Sequence, residues 1–136
     1  MIDFKVRLIL ERQGRILLLR QTSKNGGQYT LIGGRVENTE LAKQALIRES
    51  EEETGIQLLP ENLELAHVLH KKTLRAIRIT LYFKAKVWSG DAVSKELNKF
   101  KSVEWFYLDN LPRNLSPTAK FVLEQYRSGK YYSELS

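Results

Sequence analysis

With 136 residues, no cysteine and a formal net charge of +6, the chain has room for one domain with one core and cannot use disulfides or thiolate metal sites. Hydrophobic residues make up 42% and charged residues 28%, a balance that sets aside disordered and fibrous classes. No apolar run approaches the ~20 residues needed to cross a bilayer.

The apolar runs Leu8-Ile9-Leu10 and Ile16 to Leu19 are broken by Arg7, Glu11 and Arg15, so no secretory leader is expected. The lack of cysteine suits a reducing cytoplasm, which is the expected location. Lysines and arginines are spread along the chain, with modest clusters at Lys71-Lys72 and between Lys95 and Lys101. That distribution fits a solvated basic surface with some long-range attraction for a polyanion. It argues against nucleic acid as the main partner, and nothing points to a membrane.

Residues 3 to 11 alternate Phe4, Val6, Leu8 and Leu10 with Lys5, Arg7 and Ile9, which predicts a half-buried strand. Gln13-Gly14 is a turn signal, and Arg15 to Arg20 reads as the hairpin partner. Gln21 to Gln28 is polar and glycine-containing, and reads as a loop. Tyr29 to Ile32 is a short strand running into Gly33-Gly34. A helix is expected to start near Asn38 or Thr39, both good N-cap types, and to stop at Gly55. Its apolar stripe is Leu41, Ala42, Ala45 and Leu46. Extended segments follow over Leu63 to Lys71 and Arg75 to Trp88, with a further strand from Val103 to Leu108. Asn110-Leu111-Pro112 opens a loop. A last helix is capped by Ser116, carries Pro117 in its first turn and ends at Gly129. The pattern predicts a mixed sheet with helices on its faces, in one domain over residues 1–136.

The segment from Gly34 to Ile56 is the most informative part of the chain. At about 100° per residue, Glu49, Glu52 and Glu53 share one edge of the helix, and Glu51 points away. Like charges at this spacing repel, and the penalty grows as water is excluded. A divalent cation removes the conflict. Oxygen donors select hard ions, so Mg²⁺ or Mn²⁺ is the natural choice, bridging to phosphates of a substrate.

Gly34, Glu40, Arg48-Glu49, Glu52-Glu53 and Gly55-Ile56 stand in a fixed spacing. That spacing resembles the Nudix box, the signature of enzymes that hydrolyse nucleoside diphosphates linked to another group. The resemblance implies an α/β/α Nudix fold, with the box forming a loop, a helix and a loop. It also implies a Mg²⁺- or Mn²⁺-dependent pyrophosphohydrolase acting on a small nucleotide. Glu52 and Glu53 match the principal metal-binding carboxylates, and Gly33 the residue whose carbonyl commonly faces the metal. Glu49 matches a further ligand or the base that deprotonates water. Arg48 and Glu40 match a salt bridge that orients the helix and its loop. Two positions depart from the family pattern. Ser50 stands where an aliphatic residue is usual, and its hydroxyl is expected to bond back to the preceding turn. Ile32 stands where proline is frequent.

Outside the box, relatives often complete the metal site with a carboxylate from a later loop. Glu96 is the leading candidate, ahead of Asp91 and Glu104. The chain also looks like the back half of small bacterial members at His70, Trp88-Ser89-Gly90 and Leu108 to Pro112. Arg20 is a candidate phosphate contact that would equally suit pairing with a carboxylate. Tyr29, Tyr82 and Phe83 are candidate stacking faces, though core packing suits each of them. Tyr82 and Phe83 point to opposite faces of one strand, so at most one can line the site. His67 and His70 lack metal-ligand spacing and read as structural. Dimers are common in the family, so a homodimer is an open expectation. Two other functions stay open: a nucleotide-binding module that hydrolyses nothing, and an RNA 5′-end pyrophosphohydrolase.

Overall fold

A computed structural model describes residues 2–136. The chain opens with β1 (Ile2–Ile9) and crosses at Leu10 into β2 (Glu11–Arg12), which turns at Gln13-Gly14 into β3 (Arg15–Gln21). Both turn residues have positive φ, 53° and 76°, as a tight hairpin of this hand requires. After the loop come β4 (Tyr29–Thr30) and β5 (Ile32–Arg35), then helix α1 (Ala42–Thr54). The second half contains β6 (Leu63–Lys72), β7 (Ile77–Ala85), β8 (Phe100–Tyr107), helix α2 (Pro117–Arg127) and β9 (Tyr132–Leu135).

The first sheet is mixed, in the order β5-β1-β7-β6-β9, with β1–β7 and β6–β9 parallel. The second is antiparallel and centred on β3, which pairs with β2, β4 and β8. α1 packs on β1 and β5, whereas α2 packs on β6 and β9. Strand alternation feeds a separate core under each helix. Val6, Leu8, Leu17, Leu19 and Phe83 join Ala45 and Leu46 beneath α1. Ile9, Ile16, Leu18 and Tyr82 join Val122 and Leu123 beneath α2. Tyr82 and Phe83 therefore do face opposite ways.

The α/β/α architecture expected from the sequence is present. Its strands, however, divide between two sheets, because the chain changes sheet at Leu10 and again at Leu31. Leu8, Ile9 and Leu10 are consequently all fully buried, despite the period-two pattern. β9 carries no strong strand pattern and was not anticipated. It is fixed by the buried His67 ring, whose nitrogens lie 2.8 Å from the Lys130 carbonyl and 2.8 Å from the Ser133 hydroxyl. His67 is thus structural, and His70 stands 3.9 Å from Glu134.

α1 begins later than Asn38 or Thr39. The stretch before it is already committed, since the Glu40 carboxylate accepts from the Glu37 N–H at 3.0 Å. The Gln44 side chain accepts from the Leu41 N–H at 2.8 Å and closes the first turn instead. Leu41 falls outside the apolar stripe at 74% exposure. The stop at Gly55 holds, with φ 79°. α2 starts after Ser116, whose hydroxyl accepts from the Ala119 N–H. Among the described residues, no helix is long and apolar enough to cross a membrane.

Candidate active site

α1 lies across β5 so that the box glycines meet its carboxylates. The buried Glu53 accepts a hydrogen bond from the Gly33 N–H at 3.0 Å. Gly33 has φ 147°, and a Cβ there would collide with the Val6 carbonyl oxygen on β1. A Cβ on Gly34 would stand 2.7 Å from the Glu49 carboxyl carbon. One glycine lets the strands close, and the other lets the helix approach.

Arg48 organises the exposed side of the cluster. Its guanidinium grips Glu40 with two bonds, at 2.7 and 2.8 Å, and donates to Glu49 at 2.7 Å. It also reaches the Arg35 carbonyl at 3.3 Å and Glu52 at 3.5 Å. The Arg48–Glu40 ion pair expected from the box is present. The Arg48 hydrogen bonds, helped by the Glu37 N–H, pull the Glu40 carboxyl down to about 2.

Glu53 has the opposite electrostatics. Burial pushes its carboxyl well above the usual range, the Gly33 N–H opposes this, and the neighbouring Glu49 carboxylate adds to it. Two carboxyls in contact, one of them buried, form a donor set that a hard cation would relieve. Gly33, Glu49, Glu52 and Glu53 therefore fit a divalent ion in chemistry. Among the described residues, no three acidic or histidine side chains surround one point, and Arg48 stands 2.7 Å from Glu49 and 3.5 Å from Glu52. Glu51 points to solvent, as its helical phase requires.

The loop carrying Glu96 is tied to the end of α1. The Val93 N–H donates to the Thr54 carbonyl at 3.1 Å, and the Lys95 N–H to the Glu53 carbonyl at 2.9 Å. Glu96 thus sits one residue from a direct link to Glu53, with its carboxylate 3.5 Å from Lys99. Glu104 is engaged elsewhere, accepting from Tyr29 at 2.9 Å and Ser102 at 2.6 Å. Asp91 is exposed.

Tyr29 takes the core-packing role that also suited it, Arg20 meets an aromatic ring, and the bond expected of Ser50 is the one correction at this site. Tyr29 does not offer a free stacking face. It is 7% exposed, packs edge-on against Phe106 at 5.0 Å, and has Arg20 over its ring at 5.6 Å. Arg20 is accordingly engaged with that ring, where β3 pairs with β4, and not with a carboxylate. Ser50 makes no bond to the preceding turn. Its buried Oγ has no partner among the described residues, while the neighbouring Thr54 hydroxyl donates to the Ser50 carbonyl at 2.7 Å.

Tyr82 lines a cavity of about 110 Å³ together with Lys5, Arg7, Arg78, Thr80 and Thr118. Arg7 connects this cavity to the carboxylates. It pairs with Gly33 across the strands, donates to the Leu31 carbonyl at 2.9 Å, and its charge acts on Glu53. The cations of this cavity escaped sequence reading because Lys5 and Arg7 look like the solvent side of an alternating strand. Ile9, on that same side, was the available sign that a core lies there.

The sequence matches the NUDIX domain over residues 4–126. It is 32% identical over 122 residues to an ADP-ribose pyrophosphatase of Methanocaldococcus jannaschii, covering 88% of this chain and 70% of that protein. It is 29% identical over 119 residues to the NAD-capped RNA hydrolase NudC of Vibrio vulnificus, covering 85% of this chain but only 43% of that longer protein. The crystal structure of a MutT NUDIX hydrolase from Burkholderia pseudomallei superposes with a TM-score of 0.82 at 29% identity, covering 92% of this chain and 98% of that one. With its box helix, paired glycines and braced carboxylates in the same fold, the chain belongs to the NUDIX domain family.

Proposed function

We propose that this chain is a divalent-metal-dependent pyrophosphohydrolase, one catalytic domain over residues 1–136, that cleaves a phosphoanhydride of a nucleoside diphosphate linked to another group. The observation that carries the reading is Glu53, buried against the Gly33 N–H and beside the Glu49 carboxylate, with Arg48 bracing Glu49. Gly33, Glu49, Glu52, Glu53 and Glu96 are the residues that would hold Mg²⁺ or Mn²⁺. Bound there, such an ion would supply positive charge to offset the phosphate charge and would lower the pKa of a water molecule.

The chain's own residues then have separable tasks. Glu49 accepts a proton from the attacking water, whose oxygen forms the new bond to phosphorus. The anhydride P–O bond breaks, and the leaving phosphate takes its electron pair. The products are a nucleoside monophosphate and either pyrophosphate or the phosphorylated group. Arg48 positions Glu49 and Glu52, while Arg7 brings positive charge beside the phosphates. The substrate is a small nucleotide met in a reducing, cytoplasmic setting, and no membrane partner is invoked. A homodimer is compatible with this reading.

A panel of nucleoside di- and triphosphate derivatives with Mg²⁺, followed by phosphate and pyrophosphate release, tests the reaction. Glu52→Gln is expected to remove at least about 100-fold of the metal-dependent rate, with an unchanged thermal midpoint. Near-normal turnover in that variant would sink the assignment, and tight binding of a nucleotide without turnover would favour a binding module. A second reading, action on RNA 5′ ends, draws on the NudC relative and on Arg12 stacked over Trp88 and Trp105 at 4.5 and 5.5 Å. Competition between 5′-triphosphorylated RNA and free nucleotides separates the two.

A further inference from the structure

We propose that the cavity between the first sheet and the start of α2 is a second anion site, so that the substrate carries a phosphate beyond the anhydride being cleaved. This rests on the hydrolase reading for one point only, that both groups belong to one molecule.

Strand register gathers the charge. Parallel pairing sets Asp3 beside Arg78, Lys5 beside Thr80 and Arg7 beside Tyr82. Lys5, Arg7, Arg78 and Thr80 consequently line the cavity together on the α2 side, with no carboxylate among the lining residues. Asp3, at the rim, is shared between Arg78 at 3.5 Å and Arg35 at 3.6 Å. It offsets one positive charge of the group. Among the described residues, Lys5 and Arg7 have no carboxylate within ion-pair distance. Among the described residues, the buried Nε of Arg78 has no hydrogen-bond partner. Burial, and then Arg7, Arg78 and Arg35, lower the Lys5 amine to about 8. A half-buried cluster of like charges carries an unpaid electrostatic cost that a bound anion removes.

The remaining lining suits the same ligand. Ser116 caps α2, and Thr118 adds a hydroxyl from its first turn, held at 2.8 Å by Lys71. The positive end of the helix dipole adds to the side-chain charges. A nucleobase would need an aromatic face, but Tyr82, the aromatic residue here, is only 3% exposed. A phosphate uses guanidinium, ammonium and hydroxyl groups directly. Arg7 joins this cavity to Gly33 and Glu53, so one extended substrate can engage both places.

The test compares matched substrates with Mg²⁺: NADH with NADPH, dephospho-coenzyme A with coenzyme A, and GDP with guanosine 5′-diphosphate 3′-diphosphate. In at least one pair, the member with the extra phosphate is expected to have a kcat/KM higher by about tenfold, the scale of one charged hydrogen bond. Lys5→Met should shrink that preference toward parity, and Thr80→Val provides a second variant if Lys5→Met fails to fold. Inorganic pyrophosphate added to metal-free protein should shift the amide NMR signals of Thr80, Ser116 and Thr118. Hydrolysis at parity in all three pairs would overturn the second site and leave the hydrolase standing. Pyrophosphate shifts confined to other surfaces would also overturn it. Shifts at the cavity without any metal-dependent hydrolysis would support the anion site and remove the hydrolase reading.

Discussion

Gly33 and Gly34 are neighbours with different reasons to lack a side chain. A Cβ on Gly33 meets backbone, the Val6 carbonyl, at a φ that L-residues rarely adopt. Gly33→Ala is therefore expected to lose about 1–3 kcal/mol or more of stability, read from urea midpoints. A Cβ on Gly34 meets the tip of a flexible side chain, the Glu49 carboxyl at 2.7 Å. Gly34→Ala should leave stability within about 0.5 kcal/mol but depress metal-dependent turnover, because Glu49 is displaced. Ser50 offers the reverse case. Its buried, unpartnered hydroxyl contributes no bond, so Ser50→Ala is expected to be neutral or stabilising by up to about 1 kcal/mol. A clearly lower midpoint would mean that the hydroxyl has a partner in solution.

At the scale of the element, α1 is less a charged rod than a clamp. Ala45 and Leu46 seat it on the sheet, while Arg48 ties its solvent edge back to Glu40 and the Arg35 carbonyl. The brace fixes where Glu49 stands, and so acts through another residue. Arg48→Met is expected to lower kcat by about 10- to 100-fold and to raise the Mg²⁺ concentration needed for half-maximal rate. Because Arg48→Lys restores one charge but not the fork, it should recover only part of that loss. A fall in KM-dependent rate alone, with an unchanged Mg²⁺ requirement, would assign Arg48 to substrate binding. The Gly55 stop and the Ser116 cap were legible because turns and caps are local chemistry. The start of α1 was not, since Glu40 is recruited by Arg48, which lies two turns further on.

Across the whole molecule, two sheets and two helices create two cores, with charge concentrated where the first sheet meets α2. Lys5 reports that concentration through pH. Its folded-state value of about 8 lies below the ordinary 10.5, so between these limits the unfolded chain binds more protons. Stability from this group therefore rises as pH increases through that window, while affinity for a polyanion falls. Comparing denaturant midpoints of the native chain and Lys5→Met from pH 7 to 10 checks it, because only the native chain should show the rise. Glu40 has the same sign in an acid window, with a carboxyl near 2 whose contribution is complete above the ordinary 4.5 and is lost as pH falls from there through about 2.

The sequence by itself determined the carboxylate edge of α1, and its box resemblance implied the family and the Arg48–Glu40 pair, because the motif lies within one loop and one helix. Helical phase alone puts Glu49, Glu52 and Glu53 together and turns Glu51 away. Only the tertiary structure decided the rest. Parallel pairing of β1 with β7 brought Lys5, Arg7 and Arg78 into one cavity, across more than seventy residues of chain. The same assembly engaged Arg20 and Tyr29 with each other. Strand register and the crossings between sheets are long-range choices, settled by which faces must be buried, and no local pattern states them.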